Sequence, residues 1–121
     1  MNEPVLLAVR SDGKEPFRRF MGERPHAFAD SLSEALVRIH EIEFRIAVID
    51  EDFDGVGTGW LLAESIRKHL ISKVKIIVLG SERSNKYFTD ETFKGKFDWV
   101  LTFPVSKDQF LYELDRKWPV D

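Results

Sequence analysis

The sequence predicts an α/β fold in which a five-stranded parallel sheet is packed between two layers of helices. Short apolar segments alternate along the chain with segments of helical periodicity, as in successive strand–helix units. Residues 44–49 form an apolar run, interrupted only by Arg45, that is typical of a strand buried on both faces. Acidic and glycine residues follow this run at once. The length of 121 residues corresponds to one domain, residues 1–121.

The N-terminal half of the chain contains three predicted strands and two predicted helices. The strands are 5–9, 26–29 and 44–49, and the helices are 14–21 and 30–42. Turn residues 10–13 end the first strand, and Pro16 fits the first turn of the helix that follows. Ser31 and Glu34 have the spacing of a capping box, which indicates where the second helix begins.

The C-terminal half continues the alternation with two strands and three helices. The strands are 73–79 and 97–102, and the helices are 60–70, 87–93 and 106–118. Ser106 and Gln109 repeat the capping-box spacing. Because strands alternate with helices, right-handed crossovers should bring all five strands into one parallel sheet.

The composition excludes several classes of function. The net charge of -3 gives no basic surface for nucleic acid, and the lack of cysteine excludes disulfides and thiolate metal sites. His26, His40 and His69 are too dispersed to indicate a metal site. No apolar run approaches the ~20 residues of a membrane span, and the N-terminus lacks a secretory signal. We therefore expect a cytoplasmic protein that does not bind membranes.

The acids that follow the central strand are the best candidates for a functional site. They are Asp50, Glu51, Asp52 and Asp54. In open α/β sheets, ligands bind beyond the carboxyl ends of the strands, which favours a functional Asp50. Asp50 could instead cap the next helix, and Asp52 and Asp54 are interpreted as loop acids. The glycine-rich segment 55–59 is predicted to be a turn with positive φ angles rather than a nucleotide-binding loop.

Four segments together resemble one protein family. They are ADSLSEAL (29–36), FRIAVID (44–50), GWLLAESIR (59–67) and WVLTFPVSKDQFLYEL (99–114). In order and spacing these segments resemble the receiver domains of two-component response regulators. The resemblance implies a flavodoxin-like (βα)5 three-layer sandwich that acts in phosphorelay signal transduction. It also implies a histidine kinase, an output domain or another signalling protein as partner, and no enzymatic activity.

The resemblance assigns a position to each part of the phosphorylation site. In receivers, these parts are an acidic pair after strand one, an acceptor aspartate after strand three, a hydroxyl after strand four and a lysine before a proline after strand five. Asp50 occupies the acceptor position. The remaining positions are occupied by Arg10 and Ser11 with Asp12 one place later, Gly80 with Ser81 beside it, and Phe103 before Pro104.

These replacements leave three hypotheses. The preferred one is an atypical receiver in which Arg10 forms a permanent ion pair with Asp50 and no Mg²⁺ is needed. The alternative is a working acceptor at Asp50 whose Mg²⁺ is held by Asp12 and Asp50, with further oxygens from Asp52 and Asp54. The third is a small flavodoxin-like nucleotide-binding protein or enzyme. We also expect the Phe103 ring to close the pocket, raise the pKa of Asp50 and weaken metal binding.

Aromatic residues near the last strand suggest a surface for a partner. Tyr87, Phe88 and Trp99 are the interface candidates, because exposed aromatic residues are enriched at protein interfaces. The resemblance implies that the face formed by the last two helices and the last strand mediates dimerisation or output contacts. A homodimer is therefore a further expectation.

Overall fold

A computed structural model of the chain describes residues 4–69, 74–81 and 95–116. These residues include five strands, which form one parallel sheet with the spatial order β2-β1-β3-β4-β5. In chain order the strands are β1 Val5–Ala8, β2 His26–Ala29, β3 Ile46–Asp50, β4 Lys75–Gly80 and β5 Trp99–Thr102. The parallel five-stranded sheet and its flavodoxin-like strand order confirm the predicted fold class.

Helices cover both faces of the sheet. Those among the described residues are α1 Lys14–Met21, α2 Leu32–Glu41, α3 Thr58–His69 and α4 Lys107–Asp115. The predicted helix 87–93 lies outside the described residues. Both predicted N-caps are present, since Ser31 and Ser106 each accept a hydrogen bond from the backbone N–H three residues later. Within the described ranges, no helix is long and apolar enough to cross a membrane.

Alternate side chains of the buried strands belong to two separate hydrophobic cores, one on each face of the sheet. In β1, Leu6 belongs to the core shared with α2 and α3, whereas Leu7 belongs to the core shared with α1 and α4. The second core is centred on Phe110 of α4, whose ring lies 5.3 Å from that of Phe17 in α1. This two-sided burial explains why the central strands read as continuous apolar runs.

Several predicted boundaries were wrong by a few residues. The central strand is Ile46–Asp50 rather than 44–49, because Asp50 still pairs with Leu79 of β4. The acid therefore belongs to the sheet and does not start the following loop. The last helix ends at Asp115 rather than at 118, because the backbone of Arg116 is extended.

A buried lysine fixes the end of α4 to the sheet. Lys75 at the start of β4 is only 3% exposed, and its Nζ donates to the backbone carbonyls of Glu113 and Arg116. A cation at the C-terminal end of a helix satisfies carbonyls that have no partner within the helix. Burial lowers the pKa of Lys75, although the charge of Glu113 opposes this effect.

Candidate functional site

Asp50 lies at the centre of the carboxyl-terminal edge of the sheet. It is the last residue of β3, which pairs with β1 on one side and with β4 on the other. The register places Ala8 of β1 beside Ile49, and Leu79 of β4 beside Asp50. The side chain of Asp50 is only 5% exposed. The carboxylate is therefore almost fully buried at the point where the three central strands end.

Both oxygens of the Asp50 carboxylate accept hydrogen bonds. Oδ2 accepts a bond of 3.1 Å from Nε of Arg10, and Oδ1 accepts one of 2.9 Å from the backbone N–H of Asp52. The ion pair anticipated from the sequence is thus present in the structure. Helix α3 begins only at Thr58, so the alternative in which Asp50 caps that helix is wrong.

Burial and hydrogen bonding act in opposite directions on the pKa of Asp50. Burial is the largest influence and raises the pKa above its ordinary value of 3.8. The N–H of Asp52 and the guanidinium of Arg10 lower the pKa but do not cancel the effect of burial. The pKa of Arg10 is itself raised, chiefly by the charge of Asp50. A fully protonated guanidinium therefore faces a carboxylate that is poorly solvated.

Arg10 reaches Asp50 because β1 ends beside β3. The side chain of Arg10 is 53% exposed, so its guanidinium extends from the carboxylate towards solvent. Its backbone carbonyl accepts the N–H that closes the short 3₁₀ turn Ser11–Gly13. Ser11 and Asp12 lie in this turn and are exposed. The charge of Asp12 nevertheless contributes to the raised pKa of Arg10.

The loop acids bond to backbone N–H groups. Oδ1 of Asp52 accepts a bond of 2.8 Å from the N–H of Gly57, which closes the β3–α3 loop (residues 51–57) on itself. Oδ2 of Asp54 accepts a bond of 2.8 Å from the N–H of Leu32, the first residue of α2. Asp54 therefore helps to cap a helix that is distant in sequence. Both acids lie in the loop as predicted, but neither is merely solvated.

The glycine-rich segment 55–59 uses its N–H groups internally. Gly55 and Gly57 have φ angles of 115° and 77°, which confirms the predicted positive-φ turn. The N–H groups of Gly55 and Gly57 donate to Asp52, and that of Gly59 donates to a carbonyl of the same loop. A phosphate-binding loop needs such groups free to face the ligand. The nucleotide-binding alternative therefore has no support in this geometry.

Other residues occupy the two positions that carry a hydroxyl and a lysine in receivers: Gly80 with Ser81 beside it, and Phe103. Gly80 ends β4 and is buried, whereas Ser81 is exposed and its N–H donates to the carboxylate of Glu51 at 3.3 Å. The Phe103–Pro104 peptide bond is cis. The half-buried Phe103 ring packs against the core shared with α1 and α4. Its expected closure of the pocket over Asp50 stays a prediction.

The donor set at Asp50 does not fit Mg²⁺. This cation requires oxygen ligands in near-ideal octahedral geometry, whereas both Asp50 oxygens and one oxygen of Asp52 already accept protein N–H groups. The guanidinium of Arg10 would also repel a second cation. Within the ranges that the structure describes, no three His, Cys, Asp or Glu side chains are grouped so that they could hold a metal ion. The prediction of Asp12 and Asp50 as metal ligands has no support in this arrangement.

A second candidate surface lies at the β5 edge of the sheet. Trp99 in β5 is 42% exposed, and its ring lies 4.3 Å from the guanidinium carbon of Arg116. Tyr112 of α4 is 65% exposed and was not among the predicted interface residues. The two aromatic residues line an open groove of about 530 Å³ between β5 and α4. The other two interface candidates, Tyr87 and Phe88, lie outside the described residues.

Comparisons with solved structures agree with this architecture. The chemotaxis protein CheY4 of Vibrio cholerae superimposes with a TM-score of 0.80 at 19% identity, covering 96% of this chain and 98% of that one. A CheY-like receiver domain from Methylobacillus flagellatus gives 0.77 at 16% identity, covering 94% and 97%. TrrA from Thermotoga maritima, solved in complex with Mg²⁺ and BeF, gives 0.76 at 18% identity, covering 94% and 96%.

The similarity is one of structure rather than of sequence. No protein-family model matches the chain, and no curated protein matches it in sequence. The structural matches nevertheless cover nearly the whole of this chain and of each of those three proteins. The chain therefore has the CheY-like fold of response-regulator receiver domains.

Proposed function

We propose that this protein is a receiver-like signalling module that acts through protein contacts and without phosphorylation of Asp50. The observation that carries the proposal is the ion pair between Arg10 and Asp50. The corresponding position in receivers carries an acid, so Arg10 reverses the charge beside the acceptor. Such a module would act in the cytoplasm with a histidine kinase or an output protein, and not as an enzyme.

The surroundings of Asp50 are unfavourable for phosphoryl transfer. Transfer to a carboxylate requires an oxygen that can attack in line and a cation that neutralises the incoming phosphoryl oxygens. Here Arg10 and the N–H of Asp52 already engage one carboxylate oxygen each. The guanidinium neutralises the acid before any phosphoryl group arrives, which favours a single permanent state of the site.

Intact mass after incubation with acetyl phosphate and Mg²⁺ tests this proposal. We expect the mass of the folded wild-type protein to remain unchanged. Asp50→Asn, treated in the same way, should give the same result, and a phosphorylation-competent receiver domain treated alongside shows that the reagents are active. A single phosphoryl adduct on the wild-type protein that is absent from Asp50→Asn would establish the working acceptor instead.

We further propose that the groove between β5 and α4 is where a second copy of this chain binds. Exposed aromatic residues, here Trp99 and Tyr112, supply large contact areas at interfaces. Tyr112 is the better residue to mutate, because Trp99 also stacks on Arg116 within the chain.

Replacing Tyr112 with alanine should weaken self-association without changing the fold. Truncation of a central aromatic residue typically costs about 2 kcal/mol of binding free energy, or a roughly thirtyfold weaker dimer. Sedimentation velocity over a range of concentrations measures this effect. Val37→Ala, an exposed apolar residue on α2, is the matched control and should leave the association unchanged. Identical sedimentation of wild-type protein and Tyr112→Ala would contradict this assignment.

A further inference from the structure

We infer that Lys75 positions the groove between β5 and α4, and that it thereby sets the affinity of one copy of this chain for another. The inference rests on the proposed function for the identity of the partner, since a second copy is the occupant proposed for this groove. Lys75 is buried and is not among the residues that line the groove. It is therefore a positioning residue, which acts through the side chains that a partner contacts.

The register of β4 places Lys75 on the face of the sheet that α4 covers. Ile77 lies opposite Trp99 of β5 and belongs to the core shared with α1 and α4. Side chains two residues apart on a strand point to the same face, so Lys75 also lies on this face. Ile76, between them, belongs to the core shared with α2 and α3. Lys75 is thus placed behind the groove, where its Nζ reaches the last turn of α4.

Contacts lead from Lys75 to both exposed aromatic residues of the groove. Nζ donates to the backbone carbonyls of Glu113 and Arg116, the second at 3.2 Å. The backbone N–H of Arg116 donates to the carbonyl of Tyr112 at 2.8 Å at the end of α4. The guanidinium carbon of Arg116 lies 4.3 Å from the centre of the Trp99 ring, and its Nε donates to the carboxylate of Glu113. A displacement of Arg116 would therefore displace residues in both walls of the groove.

The charge of Lys75 has a cost that packing alone does not require. Lys75 is only 3% exposed, and burial of an ammonium group carries a desolvation penalty. Burial accordingly lowers the pKa of Lys75. An apolar side chain of similar length would fill the same space without this penalty. It would not hold two carbonyls of α4 at a fixed distance from β4, and this distance is what the cation determines.

Sedimentation equilibrium and thermal unfolding of Lys75→Met test the inference together. Methionine has a similar length but donates no hydrogen bond. At a concentration where both proteins are monomeric, the Tm of the variant should lie within about 5 °C of the wild-type value, because the lost hydrogen bonds are offset by removal of a buried charge. Its self-association should nevertheless be roughly tenfold weaker, since Trp99 and Tyr112 lose their fixed positions.

Two further variants separate positioning from a general loss of stability. Ile76→Val changes the next residue of β4, which faces the other core, and its association should equal that of the wild-type protein. Lys75→Met combined with Tyr112→Ala should associate more strongly than the product of the two single effects, because both changes act on the same contact. Equal weakening in Ile76→Val and Lys75→Met, or fully multiplicative effects in the double variant, would overturn the inference.

Nuclear magnetic resonance spectra of the monomer distinguish a failure of this inference from a failure of the proposed function. The indole N–H signal of Trp99 and the ring signals of Tyr112 report on the groove without any partner. Both should shift in Lys75→Met far more than in Ile76→Val. If the wild-type protein stays monomeric at every concentration, a second copy is not the occupant, and shifted signals still identify Lys75 as the residue that positions the groove.

Unchanged signals of Trp99 and Tyr112 in Lys75→Met would overturn the inference whatever the state of association. If Lys75→Met does not fold, Lys75→Arg supplies the test. Its guanidinium can still donate to both carbonyls, but the longer side chain should displace the end of α4 from β4. The same two signals should then shift, and their constancy in a folded Lys75→Arg would overturn the inference equally.

Discussion

Gly59→Ala is expected to lower the free energy of unfolding by about 3 kcal/mol or more. Gly59 lies in the first turn of α3, and a Cβ built there overlaps the backbone carbonyl oxygen of Asp50 and lies 2.6 Å from Cα of Glu51. Backbone atoms cannot rotate away as the end of a side chain can. The start of α3 must therefore move away from the end of β3. This movement also stretches the 2.8 Å hydrogen bond from the N–H of Gly59 to the carbonyl of Glu51.

Urea unfolding followed by circular dichroism measures this effect, and Gly13→Ala is the matched control. Gly13 has an ordinary negative φ of -97°, and a Cβ there has nothing within 4 Å. We expect its stability to change by less than about 0.5 kcal/mol. Equal stabilities for the two alanine variants would mean that α3 can shift without cost, and that the close approach to Asp50 does not position the site.

The sequence was sufficient to predict the fold because the fold depends on periodicity. Buried parallel strands read as apolar runs, helices repeat every 3.6 residues, and the caps at Ser31 and Ser106 are local signals. The ends of the elements were less predictable because they depend on distant partners. Asp50 counts as strand only because Leu79 of β4 pairs with it.

For the candidate site, the sequence predicted which residues could contact Asp50 but not which hydrogen bonds they form. Through the order of the strands, the sequence favoured Arg10 as the partner of Asp50, with Asp12, Asp52 and Asp54 as ligands in the alternative that has a metal site. The hydrogen bond from Nε of Arg10 to Asp50 agrees with the favoured hypothesis. The bond from the Leu32 N–H to Asp54 was not predictable, because a backbone donor leaves no mark in the sequence.

The exposure of Tyr112 could have been predicted from the sequence, whereas the role of Lys75 could not. Tyr112 is out of phase with Phe110 and Leu114, the buried residues of the same helix, so its exposure could have been inferred from the spacing. Lys75 could not have been interpreted in this way. A lysine at the start of a buried strand gives no indication that the carbonyls of Glu113 and Arg116 will surround its Nζ.

Asp50→Asn is expected to stabilise the protein at neutral pH by roughly 1 kcal/mol, because burial leaves the carboxylate of Asp50 poorly solvated. The amide removes the buried charge, and its oxygen can still accept the N–H of Asp52. The guanidinium of Arg10 loses its partner but is more than half exposed, so water solvates it. Replacement of Asp50 should therefore lower the free energy of unfolding much less than replacement of Arg10.

The effect of Asp50→Asn should depend on pH in a defined direction. The pKa of Asp50 is raised in the folded protein above its ordinary 3.8, chiefly by burial. Below 3.8 the carboxyl is protonated in both the folded and the unfolded state and behaves much like the amide. As the pH rises from 3.8 through the raised pKa, the unfolded chain ionises first and the wild-type fold loses stability. The advantage of the variant should appear across this window and remain constant above it.

Urea unfolding of wild-type protein and Asp50→Asn at about pH 7 and about pH 3.5 tests this expectation. Asp12→Asn removes the same charge from an exposed residue near the same arginine, and at pH 7 it should change stability by less than about 0.5 kcal/mol. A loss of stability in Asp50→Asn at neutral pH would mean that the ion pair makes a net contribution to folding, so that Asp50 is needed for structure alone. A gain would mean that the fold tolerates a costly acid at the end of β3, which is expected of a residue that serves the site rather than the core.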